Sequence, residues 1–431
     1  MKFYSTNNKT NKVSFKEALM QGLPLDNGLY MPVSIPDQSK LVKGISTLNI
    51  KDISYVIAKS FLDEEFKNSD IEEIIDYSIT FDSPLVNIYG NIHILELFHG
   101  PTLAFKDFGA RFMARTMEKV VSNNNKELNI LVATSGDTGS AVANGFYNVE
   151  GINVIILYPS KKVSKIQEKQ LTTLGKNIHA LEVDGSFDQC QSLVKKAFLD
   201  LQLTKKINLS SANSINIGRL IPQSFYYFNA FSKLKDKNDV IISVPSGNFG
   251  NITAGLLSKM MGLPIKKFIA STNANKAVPD FIKNGFYKPC QTIQTISNAM
   301  DVGNPSNIKR IINLYDKIDL LKEDMLSWSF SDNDTINTIK MILKKYKYLL
   351  EPHGAVGLLG LENYTKNLSK HSGIFLGTAH PSKFLDVIEP EINQKVEMPE
   401  RLKNILDKEK QSIKMKNNYT EFSNYLLENF I

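Results

Sequence analysis

The chain has 431 residues, 42% of them hydrophobic and 22% charged, an ordinary folded-protein composition that excludes collagen, a coiled-coil array and wholesale disorder. Lys and Arg number 51 against 44 Asp and Glu, and the resulting net charge of +7 is scattered, with no basic arm or helix stripe suited to nucleic acid. The two cysteines, Cys190 and Cys290, have no CxxC partner, no stretch reaches the roughly 18 apolar residues of a membrane span, and the opening Met1 to Lys9 lacks a secretion signal's apolar core. A cytoplasmic protein with free thiols, engaging neither membrane nor nucleic acid, is therefore expected.

The first 90 residues show helical period over Ser14 to Met20, Ile53 to Phe66 and Ile71 to Thr80, punctuated by Pro24, Asp26, Asn27, Gly28, Pro32 and Pro36. They read as a separate helical N-terminal domain, residues 1–90. Beyond it, short β-branched runs alternate with helical segments, the pattern of βαβ units and a parallel sheet. Strands are predicted at Asn91 to Leu97, Leu128 to Thr134, Asn153 to Tyr158, Asn177 to Val183, Asp239 to Val244, Lys267 to Ser271 and Gly373 to Leu376. Helices are predicted over Asp107 to Val121, Ser186 to Leu199 and Asn251 to Met261, with Pro222 near the first turn of another that runs to about Leu234. Asp107 is placed to cap its helix and to pair with Arg111 four residues on. The tail after Val396, with Arg401, Lys403, Lys408, Lys410, Lys414 and Lys416, reads as helical and solvated.

Ligands of open α/β sheets collect beyond the carboxyl ends of the strands, so the loops that follow strands are where chemistry is sought. Three are unusually polar: Ser135-Gly136-Asp137-Thr138-Gly139, Ser246-Gly247-Asn248-Phe249-Gly250-Asn251 and Gly377-Thr378-Ala379-His380. In one parallel sheet all three would open on the same edge. The second has the makings of a phosphate cup, with two glycines letting N–H groups converge at a helix N-terminus. A tight turn needing glycine at positive φ is the alternative. Neither GxxxxGK[ST] nor GxGxxG occurs, so a nucleoside triphosphate or dinucleotide is not indicated. Lys106 stands among Leu103, Ala104 and Phe105 at the start of a helix, a setting in which an amine is available for Schiff-base chemistry, although by spacing alone a solvated lysine is the better reading.

In order, GPTLAFKDF, ATSGDTGSA, SVPSGNFGN, EPHGAVG and GTAHPSKF resemble the threonine synthase family of pyridoxal-phosphate enzymes, and MKFYSTNN with GLYMP resembles that family's N-terminal domain. The likeness runs from Met1 to about Phe384 and is to the shorter microbial and fungal type. It implies the tryptophan-synthase β-like fold, fold type II: two parallel-sheet α/β lobes with the cofactor in the crevice between them, plus the helical N-terminal domain. The implied lobes are 91–235, with the cofactor lysine and the SGDTG loop, and 236–431, with the phosphate loop and C-terminal helices.

The resemblance further implies pyridoxal 5′-phosphate as cofactor; no metal is expected, since no His pair has metal-ligand spacing. Lys106 would carry the cofactor and act in catalysis, Gly247, Asn248, Phe249, Gly250 and Asn251 would hold its phosphate, and Thr378 would hydrogen-bond its pyridine nitrogen. Asn213, Ser214 and Arg219, with Ser135 and Thr138 beside them, would bind the substrate's phosphate. Many relatives of the fold carry Asn where Asp137 stands and contact the cofactor's 3′ oxygen with it. Asp137 would have to be protonated or turned aside to do so, or else it is an N-cap for a helix beginning at Thr138. For Arg219 the alternative is a surface ion pair. Asp26-Asn27-Gly28 departs from the family's Asp-Gly-Gly and is expected to alter only a turn. Glu351 lies near the cofactor or in a turn before a helix from about Ala355, and His99, His353 and His380 are expected to be structural hydrogen-bonding residues.

The implied activity is a lyase reaction, conversion of O-phospho-L-homoserine and water to L-threonine and phosphate, by a monomer or homodimer. The competing expectations are a phospho-lyase yielding 2-oxobutanoate, ammonia and phosphate, and a non-catalytic protein that binds pyridoxal phosphate or phosphate.

Overall fold

The N-terminal residues form helices around a small antiparallel sheet, in which β1 (Lys2–Ser5) pairs with both β2 (Asn8–Ser14) and β3 (Tyr30–Pro32). A computed structural model describes residues 1–122 and 127–431. The expected helices lie at Phe15–Gln21, Ile50–Leu62 and Asn68–Ser78, the first two started by capping boxes at Ser14 with Glu17 and at Asn49 with Asp52. The sheet left no trace in the periodicity because β2, Asn-Lys-Thr-Asn-Lys-Val-Ser, is exposed over most of its length. Asn27 takes a left-handed φ of 59°, a conformation Asn tolerates well.

The larger part of the chain contains β4 (Leu85–Tyr89), β5 (Ile92–Glu96), β6 (Leu128–Ala133), β7 (Ile152–Pro159), β8 (Ile178–Asp184), β9 (Leu209–Ser211), β10 (Val240–Pro245), β11 (Lys267–Thr272), β12 (Met325–Ser329), β13 (Ser372–Gly377) and β14 (Ile413–Lys416). They form two sheets, β12-β11-β10-β13-β5-β4 and β14-β8-β7-β6-β9. Every pair is parallel except β4 with β5. Strands β6, β10 and β13 are buried on both faces, which is why the sequence announces them as unbroken apolar runs.

Three strands cross the boundaries drawn from the sequence: β4, within residues 1–90, pairs with β5 at the edge of the six-stranded sheet, so the N-terminal range does not end at 90 as a separate unit. β5, expected to open the lobe of residues 91–235, lies beside β13 in the other sheet, and β14, from the tail, pairs with β8 at the edge of the first lobe's sheet. The ranges 91–235 and 236–431 therefore do not separate the two sheets, because a strand's own residues say nothing about its neighbour. The tail is likewise not simply solvated. Phe422, Leu426 and Phe430 are buried with Leu181, Val183 and Leu193, while Lys410 bridges Glu168 and Glu182 at 2.6 and 2.7 Å.

Candidate active site

The three polar loops belong to two sheets rather than one, since β6 lies in the five-stranded sheet and β10 and β13 in the six-stranded one. They do not share one sheet edge. Lys106 is the first residue of the helix Lys106–Val121, and the turn before it is stapled to the loop after β13. Phe105 N–H donates to the Thr378 carbonyl at 2.9 Å, His380 N–H donates to the Leu103 carbonyl at 3.0 Å, and Ala104 bridges Ala379. Leu103 is held at a φ of 60° with its side chain fully packed, a strained backbone maintained by its surroundings.

The Lys106 side chain is only 15% exposed, and its Nζ lies 3.9 Å from Asp137 Oδ2. It is not a solvated surface lysine. Burial pushes its pKa down to about 8; Asp137 and Glu351 oppose the drop, and Lys383 and Arg219 add to it.

Asp137 is neither an N-cap nor protonated. It is the first residue of the helix Asp137–Phe146, and its buried carboxylate accepts from Lys383 Nζ at 2.7 Å and Gln167 Nε2 at 2.8 Å. Burial works against its charge, but Lys383 and Lys106 outweigh it and hold the carboxyl well below the usual range. Gly136, at φ 146°, must be glycine here, for a Cβ would sit 2.5 Å from the Gln167 side chain. Lys383 is the residue that sequence reasoning missed: it stood inside the GTAHPSKF block, but nothing local signals that its ammonium is buried beside a carboxylate so far away in the chain.

Asp107 does not cap its helix. Its buried carboxylate accepts from Thr102 N–H at 2.8 Å and Thr102 Oγ1 at 2.6 Å, while Arg111 donates to the Ser78 and Tyr77 carbonyls instead of pairing with it. The turn Gly100 to Phe105 folds back over the helix start and reaches Asp107 first.

In the loop after β10, neither Gly247 nor Gly250 has positive φ; the left-handed residue is Phe249, at 59°. Gly247 is required for close approach, since a Cβ there would lie 2.7 Å from Met300 Cα and 2.8 Å from the Ala299 carbonyl. The main-chain N–H groups of Gly247, Asn248, Phe249, Gly250 and Asn251 meet no protein acceptor among the described residues, and the buried Asn251 Nδ2 is also unpartnered. Asn251 Oδ1 accepts from the hydroxyls of Tyr226 and Tyr227 at 2.7 and 2.6 Å. Asn248 ties the loop sideways, donating to Ser214 Oγ and accepting from Ser306 N–H, each at 2.5 Å.

Arg219 is buried, its Nη1 donates to the Ala212 carbonyl at 2.6 Å, its Nε has no partner, and no carboxylate pairs with it among the described residues. That rules out a surface ion pair. Burial lowers its pKa to about 10, still a cation, with Asp107 opposing the drop, and a buried guanidinium with an unpartnered N–H is chemically suited to receive an anion. Ser214 lies in a loop held by Arg310, whose guanidinium donates to the carbonyls of Tyr30 and Ile215. Ser135, Thr138 and Asn213 line accessible positions with side chains that bond to no described residue.

Thr378 Oγ1 donates to Glu351 Oε1 at 3.1 Å. Glu351 also caps the helix Pro352–Thr365 and pairs with His353 Nδ1 at 2.6 Å. His99 is hydrogen-bonded to Glu96 and His380 to Ser382, the structural roles expected of them. The set fits pyridoxal phosphate: an amine with a pKa lowered to about 8 for the aldehyde, main-chain N–H donors without protein acceptors at a helix start for the phosphate, and a hydroxyl for the ring nitrogen, which would have to leave Glu351 to donate there.

The family model described as pyridoxal-phosphate dependent enzyme matches residues 83–376, threonine synthase N terminus matches 2–79, and threonine synthase, C-terminal matches 354–426. Threonine synthase of Haemophilus influenzae is 44% identical over 99% of this chain and 100% of its own. The crystal structure of threonine synthase from Escherichia coli is 40% identical, with a TM-score of 0.93 over 99% of this chain and all of that one. A threonine synthase from Brucella melitensis with pyridoxal phosphate bound is 31% identical, with a TM-score of 0.93 over 100% of this chain and 99% of that one.

Proposed function

The chain belongs to the threonine synthase family of pyridoxal-phosphate-dependent enzymes, and on that premise we propose how its own residues divide the work. The reaction converts O-phospho-L-homoserine and water into L-threonine and phosphate. Pyridoxal phosphate, when bound, supplies the electron sink that makes the substrate's carbon-bound protons acidic.

Lys106 carries the cofactor through Nζ and, once free, moves protons at Cα and Cβ. An amine with a pKa of about 8 keeps a usable neutral fraction near pH 7, which an ordinary lysine does not. The N–H groups of Gly247 to Asn251 hold the cofactor phosphate, the Thr378 hydroxyl serves the pyridine nitrogen, and the ionised Asp137 carboxylate lies beside the Lys106 amine rather than bonding the cofactor's 3′ oxygen. Arg219, Asn213, Ser214, Ser135 and Thr138 take the substrate phosphate. We place the enzyme in the cytoplasm, on the strength of its two unpaired cysteines. No helix among the described residues is long and apolar enough to cross a membrane.

The observation that carries this assignment is the partly buried Lys106 amine poised against Asp137. Incubating the purified protein with O-phosphohomoserine and separating the products tests it: threonine with equimolar phosphate is expected, and 2-oxobutanoate with ammonia in its place would overturn it.

A further inference from the structure

We infer that Lys383 is a positioning residue of the active site: its ammonium holds the Asp137 carboxylate from the side away from Lys106, so that Asp137 orients the Lys106 amine without locking it into an ion pair. The inference rests on the assignment of Lys106 as the cofactor-bearing amine.

Lys383 has a side chain with no exposure, and its Nζ is fixed by two acceptors on separate elements, Asp137 Oδ1 at 2.7 Å and the Thr102 carbonyl at 2.9 Å. Gln167 completes Oδ1 at 2.8 Å. Asp137 Oδ2, by contrast, faces Lys106 Nζ across 3.9 Å, beyond hydrogen-bonding distance. The carboxylate is thus satisfied on one side and only electrostatically engaged on the other.

Burying a second ammonium is expensive unless it is paired, and Asp137 is the one carboxylate it pairs with among the described residues. With Lys383 gone, the only ammonium left beside Asp137 among the described residues is Lys106, and the carboxylate would close on it and hold its proton. The charged groups facing Lys106 are Asp137 and Glu351, which favour its ammonium, and Lys383 and Arg219, which disfavour it. Lys383 itself also faces Asp107 and His380. Removing Lys383 therefore shifts the balance at Lys106 in one direction only, toward the protonated form.

The test uses the full-length protein as wild type, K383M, K383R, D137N and D137N/K383M. Each is stripped of cofactor with hydroxylamine, and the rate at which added pyridoxal phosphate restores the yellow absorbance is followed against pH, since only the neutral amine attacks the aldehyde. The acid limb of kcat is measured alongside. K383M is expected to move both profiles up by about one pH unit, a tenfold slower capture at pH 7. K383R should restore the wild-type midpoint, and D137N should move it down. In the D137N background the K383M effect should shrink, because only the direct repulsion between the two ammonium groups remains and the part that Lys383 exerts through Asp137 is lost. A K383M profile that overlies wild type, or an equal effect in both backgrounds, would overturn the inference. Should K383M not fold, D137N decides alone: an unmoved midpoint overturns it. Failure of borohydride to fix the cofactor to Lys106 in the wild type would instead remove the assignment beneath it.

Discussion

The Thr378 hydroxyl donates to Glu351 Oε1 across 3.1 Å, and that same oxygen accepts the Gly354 N–H at 2.8 Å. One carboxylate thus ties the loop after β13 to the start of the helix Pro352–Thr365, and its second oxygen engages His353. Glu351→Gln should cost about 1–3 kcal/mol, the sum of a weakened cap and a disturbed buried network. Urea unfolding checks it, and a midpoint unchanged from wild type would dismiss the network as incidental.

Lys106→Ala should give a folded but colourless protein whose turnover falls by roughly 10³-fold or more, since both the covalent anchor and the proton carrier are lost. Absorbance of the purified variant is the direct measurement; a yellow protein would remove Lys106 from the chemistry.

Arg219→Ala removes a guanidinium whose Nε has no protein partner. A charge-assisted hydrogen bond is worth about 1.5–3 kcal/mol, so KM for O-phosphohomoserine should rise about 10- to 100-fold with cofactor content retained. Loss of the cofactor with KM unchanged would reassign the residue to the cofactor.

Gly247→Ala would place a methyl group 2.7 Å from Met300 Cα, a backbone atom that cannot step aside cheaply. The loop must shift and its N–H groups diverge. Equilibrium dialysis of pyridoxal phosphate should show weakened cofactor binding of at least tenfold; wild-type affinity would mean that the loop does not grip the phosphate.

His380 has its pKa lowered from 6.5 to about 4, chiefly by burial, with Arg401, His99 and Lys383 adding to the shift and Glu96 opposing it. Between those values the unfolded chain binds a proton that the folded chain does not, so stability rises with pH across the window and is fully present above 6.5. His380→Asn keeps a side-chain acceptor for the Ser382 N–H but does not titrate. Its urea midpoint should vary less between pH 4 and 6.5 than that of the wild type, and equal slopes would show that His380 does not govern the window.

The sequence by itself determined where the buried strands β5 to β8, β10, β11 and β13 run, because an apolar run is a local property, whereas the exposed β2 and the tail strand β14, read as helical, escaped it. The β-branched runs of β6, β7, β10 and β13 lie where burial on both faces demands them, and the Gly247 loop shows its helix-start chemistry in six consecutive residues. The tertiary structure alone decided which strands pair and which charges meet. β5 sits beside β13, β14 closes on β8, and Lys383 meets Asp137, each a contact between segments remote in the chain whose residues carry no mark of their partner. The same physics settles Asp137: a carboxylate at a helix start reads as a cap until a buried ammonium, brought in by a different part of the fold, provides it with a stronger partner.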